Sequence, residues 1–186
     1  MTDLDRLMSL LRELSYQRRR VTLASGRESD FYIDGKQTTL HAEGAAVIGR
    51  LVLAEIRRLG GVVGVGGLTM GADPIATAAS VFSTLDGGAP VHAFYVRKEA
   101  KGHGTQQFVE GRRNLPDGSR VVIVEDTTTT GGSSWTAVAR SRAEGLDVCG
   151  VITIVDREEG AAAFLAEKGV PFFSLVTRRM LTGEAE

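Results

Sequence analysis

Apolar positions along this chain follow two rhythms in turn: the wide spacing of helices and the short unbroken runs of buried strands. Leu4, Leu7, Met8, Leu11 and Leu14 fall at helical intervals, opposed by Asp5, Arg6, Arg12 and Glu13. That predicts an amphipathic helix ending before Arg18, Arg19 and Arg20, with its apolar side in the core or a subunit interface. The stretch 21–40 is less regular. Ser25-Gly26 marks a turn, and Phe31, Tyr32 and Ile33 suit a short strand, so it reads as a hairpin with an aromatic edge. Ala45, Ile48, Val52, Ile56 and Leu59 restore the helical spacing. They predict a long helix over 41–59, stopped at Gly60-Gly61, with His41 on the surface or capping its start.

Apolar runs at 62–65, 121–124 and 148–155 do not alternate, which predicts strands buried on both faces of a parallel sheet, and 91–96 is expected to be a further strand. Helices are expected between them. One starts with Asp73 as N-cap and Pro74 as first residue, and one covers 133–144 and ends near Gly145. A short helix over 161–168 and a strand around Phe172-Phe173 follow. Strands alternating with helices make this an α/β chain, its central mostly parallel sheet flanked by helices.

A length of 186 residues suits a single domain, 1–186, and is short for two. A net charge of -1 argues against a partner bound by bulk charge, so no nucleic acid is expected. The one cysteine, Cys149, excludes an internal disulfide framework and a cysteine-rich zinc site, and its apolar surroundings predict packing. No apolar run approaches a membrane span, and the acids and arginines of the first residues do not form a signal peptide. A cytoplasmic enzyme fits all of this.

The stretch VVIVEDTTTTGGSS at 121–134 carries the clearest chemistry. Glu125 and Asp126 are expected where the strand ends, at the edge where open α/β sheets bind ligands. Thr127, Thr128, Thr129, Thr130, Gly131, Gly132 and Ser133 can bare their amides at a helix start capped by Ser133 or Ser134, a setting that favours phosphate. The string is neither a Walker loop nor a dinucleotide turn, since GxxxxGK[ST] and GxGxxG are both missing. Carboxylates beside a phosphate cradle suit a phosphorylated sugar. Gly66, Gly67 and Gly71 would let backbone approach a pyrophosphate. Arg97, Lys98, Lys101 and His103, loosened by Gly102 and Gly104, open a long basic loop over 97–118 of the kind that closes on a leaving group. Arg157 is placed at the ligand end of the 148–155 strand, and a pairing with Glu158 or Glu159 is the plainer reading of it.

The 125–133 string resembles the phosphoribosyl-diphosphate motif of type I phosphoribosyltransferases. RKxxKxHG, complete from Arg97 to Gly104, resembles the catalytic loop of the orotate phosphoribosyltransferases. Ser25, Gly26, Ser29 and Asp34 match that family's SGxxSPxYxD opening in place, with Phe31-Tyr32 supplying its aromatic. The resemblance implies a type I phosphoribosyltransferase fold, with 1–40 forming an N-terminal helix and a small hood and 41–186 the core. It implies transfer of ribose 5-phosphate from phosphoribosyl diphosphate to orotate, in UMP biosynthesis. Lys101, His103 and Asp126 would be catalytic. Arg97, Lys98, Lys101, His103 and residues 125–133 would hold phosphoribosyl diphosphate, and Thr129, Arg157, Tyr32 and Ile33 would hold orotate. Mg²⁺ would be held mainly through substrate, with no dedicated protein metal site. A homodimer is implied, with loop 97–113 reaching the neighbouring subunit's site. The chain departs from the family at Ala24 and Asp30, and at Met70-Gly71 where some members have Tyr-Lys. Lys36 is positioned to supply a missing positive charge. Transfer to another base, a non-catalytic regulator on the same fold and a fold-level analogue without a sugar-phosphate ligand are the rival readings.

Overall fold

The computed structural model describes residues 1–22, 28–99 and 107–183. Helix α1 (Asp3–Leu10) starts at a Thr2–Asp5 capping box and continues as a π-helical turn through Ser15. It runs straight into β1 (Tyr16–Thr22), so the arginine triplet lies on a strand. β1 pairs antiparallel with β2 (Glu28–Ile33) in a two-stranded sheet of its own. A one-turn helix α2 (Lys36–Thr39) leads to α3 (Ala42–Leu59), where the His41 Nδ1 accepts from the Gly44 amide at 3.4 Å, a capping contact.

The main sheet has the order β5-β4-β3-β6-β7-β8, comprising β3 (Gly64–Leu68), β4 (His92–Val96), β5 (Val109–Glu110), β6 (Arg120–Thr128), β7 (Asp147–Asp156) and β8 (Phe172–Thr177). Every neighbouring pair is parallel except β4–β5. Helices α4 (Asp73–Leu85), α5 (Gly132–Ala143), α6 (Ala161–Glu167) and α7 (Arg178–Thr182) complete the chain. The unbroken apolar runs are explained by two cores. Val122 and Val124 of β6 join the core that holds Ile48, Val52, Ile56 and Ile75 of α3 and α4. Val121 and Ile123 join the other, with Val138 of α5 and Leu165 of α6. The N-terminal layer is clasped to the tail, since the Arg12 guanidinium donates to the Met180 and Leu181 carbonyls at 2.7 and 3.2 Å.

Several elements depart from the sequence expectation. β3 lies later than 62–65 and contains Gly66 and Gly67. A Cβ at Gly66 would sit 2.2 Å from the Phe94 carbonyl oxygen, and one at Gly67 2.3 Å from that of Val124. These glycines let strands and the start of α4 close on one another. Asp73 is the first residue of α4, with Ala72 in the cap position and no side-chain cap. Gly131, at φ 85°, precedes α5, so Ser133 and Ser134 lie inside the first turn instead of capping it. The basic segment is also shorter than 97–118. The Arg97 amide donates to the Phe108 carbonyl at 2.8 Å, Val109–Glu110 is an edge strand and Leu115 is fully buried.

Candidate active site

The chain leaves β3 toward β4 on one side and builds β7 and β8 beyond β6 on the other. A crevice therefore opens between β3 and β6, the switch point at which open parallel sheets bind ligands. β6 is longer than the apolar run predicts. It stays paired with β7 out to Thr128, whereas its contact with β3 ends at Ile123. Glu125 and Asp126 are thus strand residues with one side toward the crevice, and each is 8% exposed.

Their carboxylates converge under the turn after β3. A Cβ at Gly71 would stand 2.7 Å from Asp126 Oδ1 and 2.9 Å from Glu125 Oε1. Asp126 Oδ1 also accepts from the Thr127 amide at 2.8 Å. Lys36, from α2, places Nζ 3.1 Å from Asp34 Oδ1 and 3.8 Å from Asp126 Oδ2, and these acids hold its pKa up, Asp34 first. The cation sought at Lys36 is therefore at the acid pair. Lys36, Lys98, Gly71, Glu125 and Asp126 line one cavity of about 280 Å³.

Burial first, and then the charge of Asp126, pushes Glu125 from its ordinary 4.5 up to about 8, with Lys98 working in the opposite direction. Between those values the folded protein holds a proton that the unfolded chain has released, so stability from this group falls as pH rises through that window. Burial raises Asp73 and Asp156 in the same sense. The melting temperature of the ligand-free protein is expected to fall between pH 5.5 and pH 8.5, with Glu125→Gln flattening the slope. An unchanged slope in that variant would assign it to other groups.

A second cavity of about 190 Å³ is lined by Glu125 and residues 127–134. Thr127 Oγ1 and Ser134 Oγ are buried there without a hydrogen-bond partner among the described residues, as donors awaiting a ligand would be. Thr128 differs from its neighbours: its hydroxyl donates to Thr153 Oγ1 at 2.9 Å inside the sheet, so its side chain is not a phosphate contact. Gly131 must be glycine for its left-handed φ and because a Cβ would lie 3.2 Å from the Phe164 ring.

The residues expected around a base are partly gathered. The Arg157 amide donates to the Thr128 carbonyl at 2.9 Å, which fixes the end of β7 beside Thr129. The Arg157 guanidinium lies 5.6 Å from the centre of the Phe31 ring, bringing the hood to that strand end. It also meets Glu159 at 2.9 Å, so the plainer pairing is present as well. Tyr32 is half-buried, but Ile33 is 9% exposed and packs in the core with Phe31, because alternation along β2 turns both inward. Its side chain serves packing and not a base.

Arg97 pairs with Glu110 at 3.1 Å across β4 and β5, and its carbonyl accepts from Arg140 at 2.5 Å. Glu144 accepts from the Phe108 and Val109 amides at 2.6 and 3.0 Å, while Arg140 stacks on Phe108. Both shoulders of the basic segment are thereby fixed to the far end of α5. Lys101 and His103 lie outside the described residues, as do Ala24, Ser25 and Gly26. Sequence reasoning missed the roles of Asp34 as the partner of Lys36 and of Gly35, whose Cβ would lie 2.9 Å from Thr127 Oγ1. The close spacing in Asp34-Gly35-Lys36 was the available signal for the first; the second is a long-range contact with none.

Folds that set a carboxylate pair and an anion-binding helix start at such a crevice, with a separate antiparallel hood, are those of type I phosphoribosyltransferases. No protein-family profile matches the chain. Orotate phosphoribosyltransferase of Sorangium cellulosum is 47% identical over 178 residues, spanning 96% of this chain and 92% of its own length. The crystal structure of Mycobacterium tuberculosis orotate phosphoribosyltransferase in complex with Fe(III) dicitrate matches with a TM-score of 0.83 at 45% identity, covering 96% of this chain and 98% of that one. The same enzyme in complex with 5-phospho-α-D-ribosyl 1-diphosphate matches at 0.79 and 41%, covering 97% and 99%. The chain belongs to the orotate phosphoribosyltransferase family.

Proposed function

We propose that this chain transfers the ribose 5-phosphate group of 5-phospho-α-D-ribose 1-diphosphate to orotate, giving orotidine 5′-monophosphate and diphosphate, as a step of UMP biosynthesis. The convergence of Glu125 and Asp126 beneath Gly71, beside the amide-lined loop of 127–133, is the observation that carries it. The loop amides and the start of α5 hold the 5′-phosphate. The two acids accept from the ribose hydroxyls and face the positive charge that develops on the ring as the C1–O bond breaks. A ring nitrogen of orotate then forms the new bond to C1 and gives up its proton to solvent or to the diphosphate, which departs with the electron pair of the broken C1–O bond.

Lys101 and His103 are assigned to the departing diphosphate, His103 as the group able to protonate it, with Arg97 and Lys98 at the root of the same segment. Arg157 is assigned to the orotate carboxylate, which its planar fork suits. The oxygen donors at the crevice fit Mg²⁺, which would be held mainly by substrate oxygens and water and would offset the charge of the diphosphate. Among the described residues no group of three or more His, Cys, Asp or Glu forms a metal cage. A homodimer, with loop 97–113 reaching the neighbouring subunit's site, and a cytoplasmic location complete the proposal. Among the described residues no helix is long and apolar enough to cross a membrane.

Loss of orotate absorbance in the presence of phosphoribosyl diphosphate and Mg²⁺ tests the assignment. Turnover with adenine, guanine, xanthine or uracil in place of orotate would overturn the choice of base. Lys36→Ala is expected to raise the KM for phosphoribosyl diphosphate about tenfold, the cost of one charge-assisted contact. An unchanged KM would remove Lys36 from the site.

A further inference from the structure

Arg157 and Glu159 form an ion pair at 2.9 Å with only 12% and 14% of their side chains exposed. The manner of that pairing is informative. Arg157 Nη2 makes the contact with Glu159, while the buried Nε makes no hydrogen bond among the described residues. Glu159 therefore balances the charge of the guanidinium through one nitrogen while leaving Nε unspent. The main chain of Arg157 is fixed by its bond to Thr128, so the long side chain is the adjustable part.

Arg178 belongs to the same cluster. Its guanidinium carbon lies 5.3 Å from the Phe31 ring centre, against 5.6 Å for that of Arg157. The pairing of Asp156 with Thr177 places the two arginines side by side, one residue beyond adjacent strands. Asp156 Oδ1 accepts from the Glu158 amide, and Glu158 is held by Arg179, so those carboxylates are engaged elsewhere. Both guanidiniums thus lie against Phe31, with Glu159 paired to that of Arg157.

We propose that Glu159 is a positioning residue for the base: it keeps the Arg157 guanidinium buried, charge-balanced and ready to donate, so that an incoming ring carboxylate meets a fork already in place. This rests on the reading that Arg157 receives the orotate carboxylate. Because Glu159 pairs through Nη2 and leaves Nε free to donate, it need not leave when that carboxylate binds. Without its charge, a buried arginine would seek another partner or solvent, and binding would have to restore its geometry.

In the intact protein, Glu159→Gln is expected to raise the KM for orotate about tenfold, with the KM for phosphoribosyl diphosphate within about twofold of normal, a split that a merely structural role would not produce. Combined with Arg157→Ala, it should add nothing further. An unchanged KM for orotate would overturn the proposal, and a lowered one would make Glu159 a competitor instead. If Arg157→Ala itself leaves the orotate KM unaltered, the reading of Arg157 fails. If Arg157→Ala raises it and Glu159→Gln does not, only the present inference fails. Should Glu159→Gln not fold, Glu159→Asp retains the charge but withdraws it by one methylene. A smaller rise confined to orotate is then expected, and no rise would be decisive against the role.

Discussion

An Asp126→Asn enzyme is expected to turn over about a hundredfold to a thousandfold more slowly than the parent, the usual loss when one fixed electrostatic contact to a transition state is removed. Asparagine keeps the shape and can still accept from the Thr127 amide, which Asp126 Oδ1 now does at 2.8 Å. What disappears is the negative charge that the proposed function sets against the sugar as its bond to diphosphate lengthens. The effect should therefore fall on kcat more than on the KM for phosphoribosyl diphosphate. Glu125→Gln is expected to cost less near neutral pH, because burial and Asp126 already push Glu125 up to about 8 in the free protein. Single-turnover measurement of orotidine monophosphate formation separates chemistry from release. A rate for Asp126→Asn within tenfold of normal would remove Asp126 from the catalytic step.

Gly71→Ala is the second large effect, and its cause is steric. The added methyl carbon would stand 2.7 and 2.9 Å from the two carboxylate oxygens, so the acids must move. Their displacement is expected to lower kcat/KM about a hundredfold, since misplacements of the order of an ångström at a reacting centre cost that much. The backbone at Gly71 is not left-handed, and the displaced groups are carboxylate ends rather than core. The melting temperature should consequently stay within a few degrees of normal, as for substitutions outside the core. Normal activity would mean that the loop after β3 yields instead, and that the acids are not confined by it.

Much of the fold could be read along the chain because its strands are unbroken apolar runs between helical repeats. β3 escaped because Gly66 and Gly67 look like a loop locally, while the approach of Phe94 and Val124 makes them strand residues. α2, with 4 residues, and α7, with 5, are too short to show a period. The helix starts shifted because Asp73, Ser133 and Ser134 are favoured caps by type, whereas the turns preceding α4 and α5 end on Ala72 and Gly131. The site was legible where its residues are neighbours in sequence, as in 125–133. Local pattern could not show that Thr128 turns into the sheet, that Ile33 faces the core, or that Phe31 lies against Arg157. Those facts depend on strand register.

Helix α5 begins at the phosphate loop and ends where Arg140 and Glu144 hold the two shoulders of the basic segment. Its 12 residues span about 18 Å. One stiff rod thus serves as a common datum, with the amide-lined loop proposed for the 5′-phosphate at one extremity and both shoulders of the basic segment at the other. A one-residue insertion midway along it would rotate and lengthen that gauge, throwing the two grips out of alignment even with every contacting side chain intact.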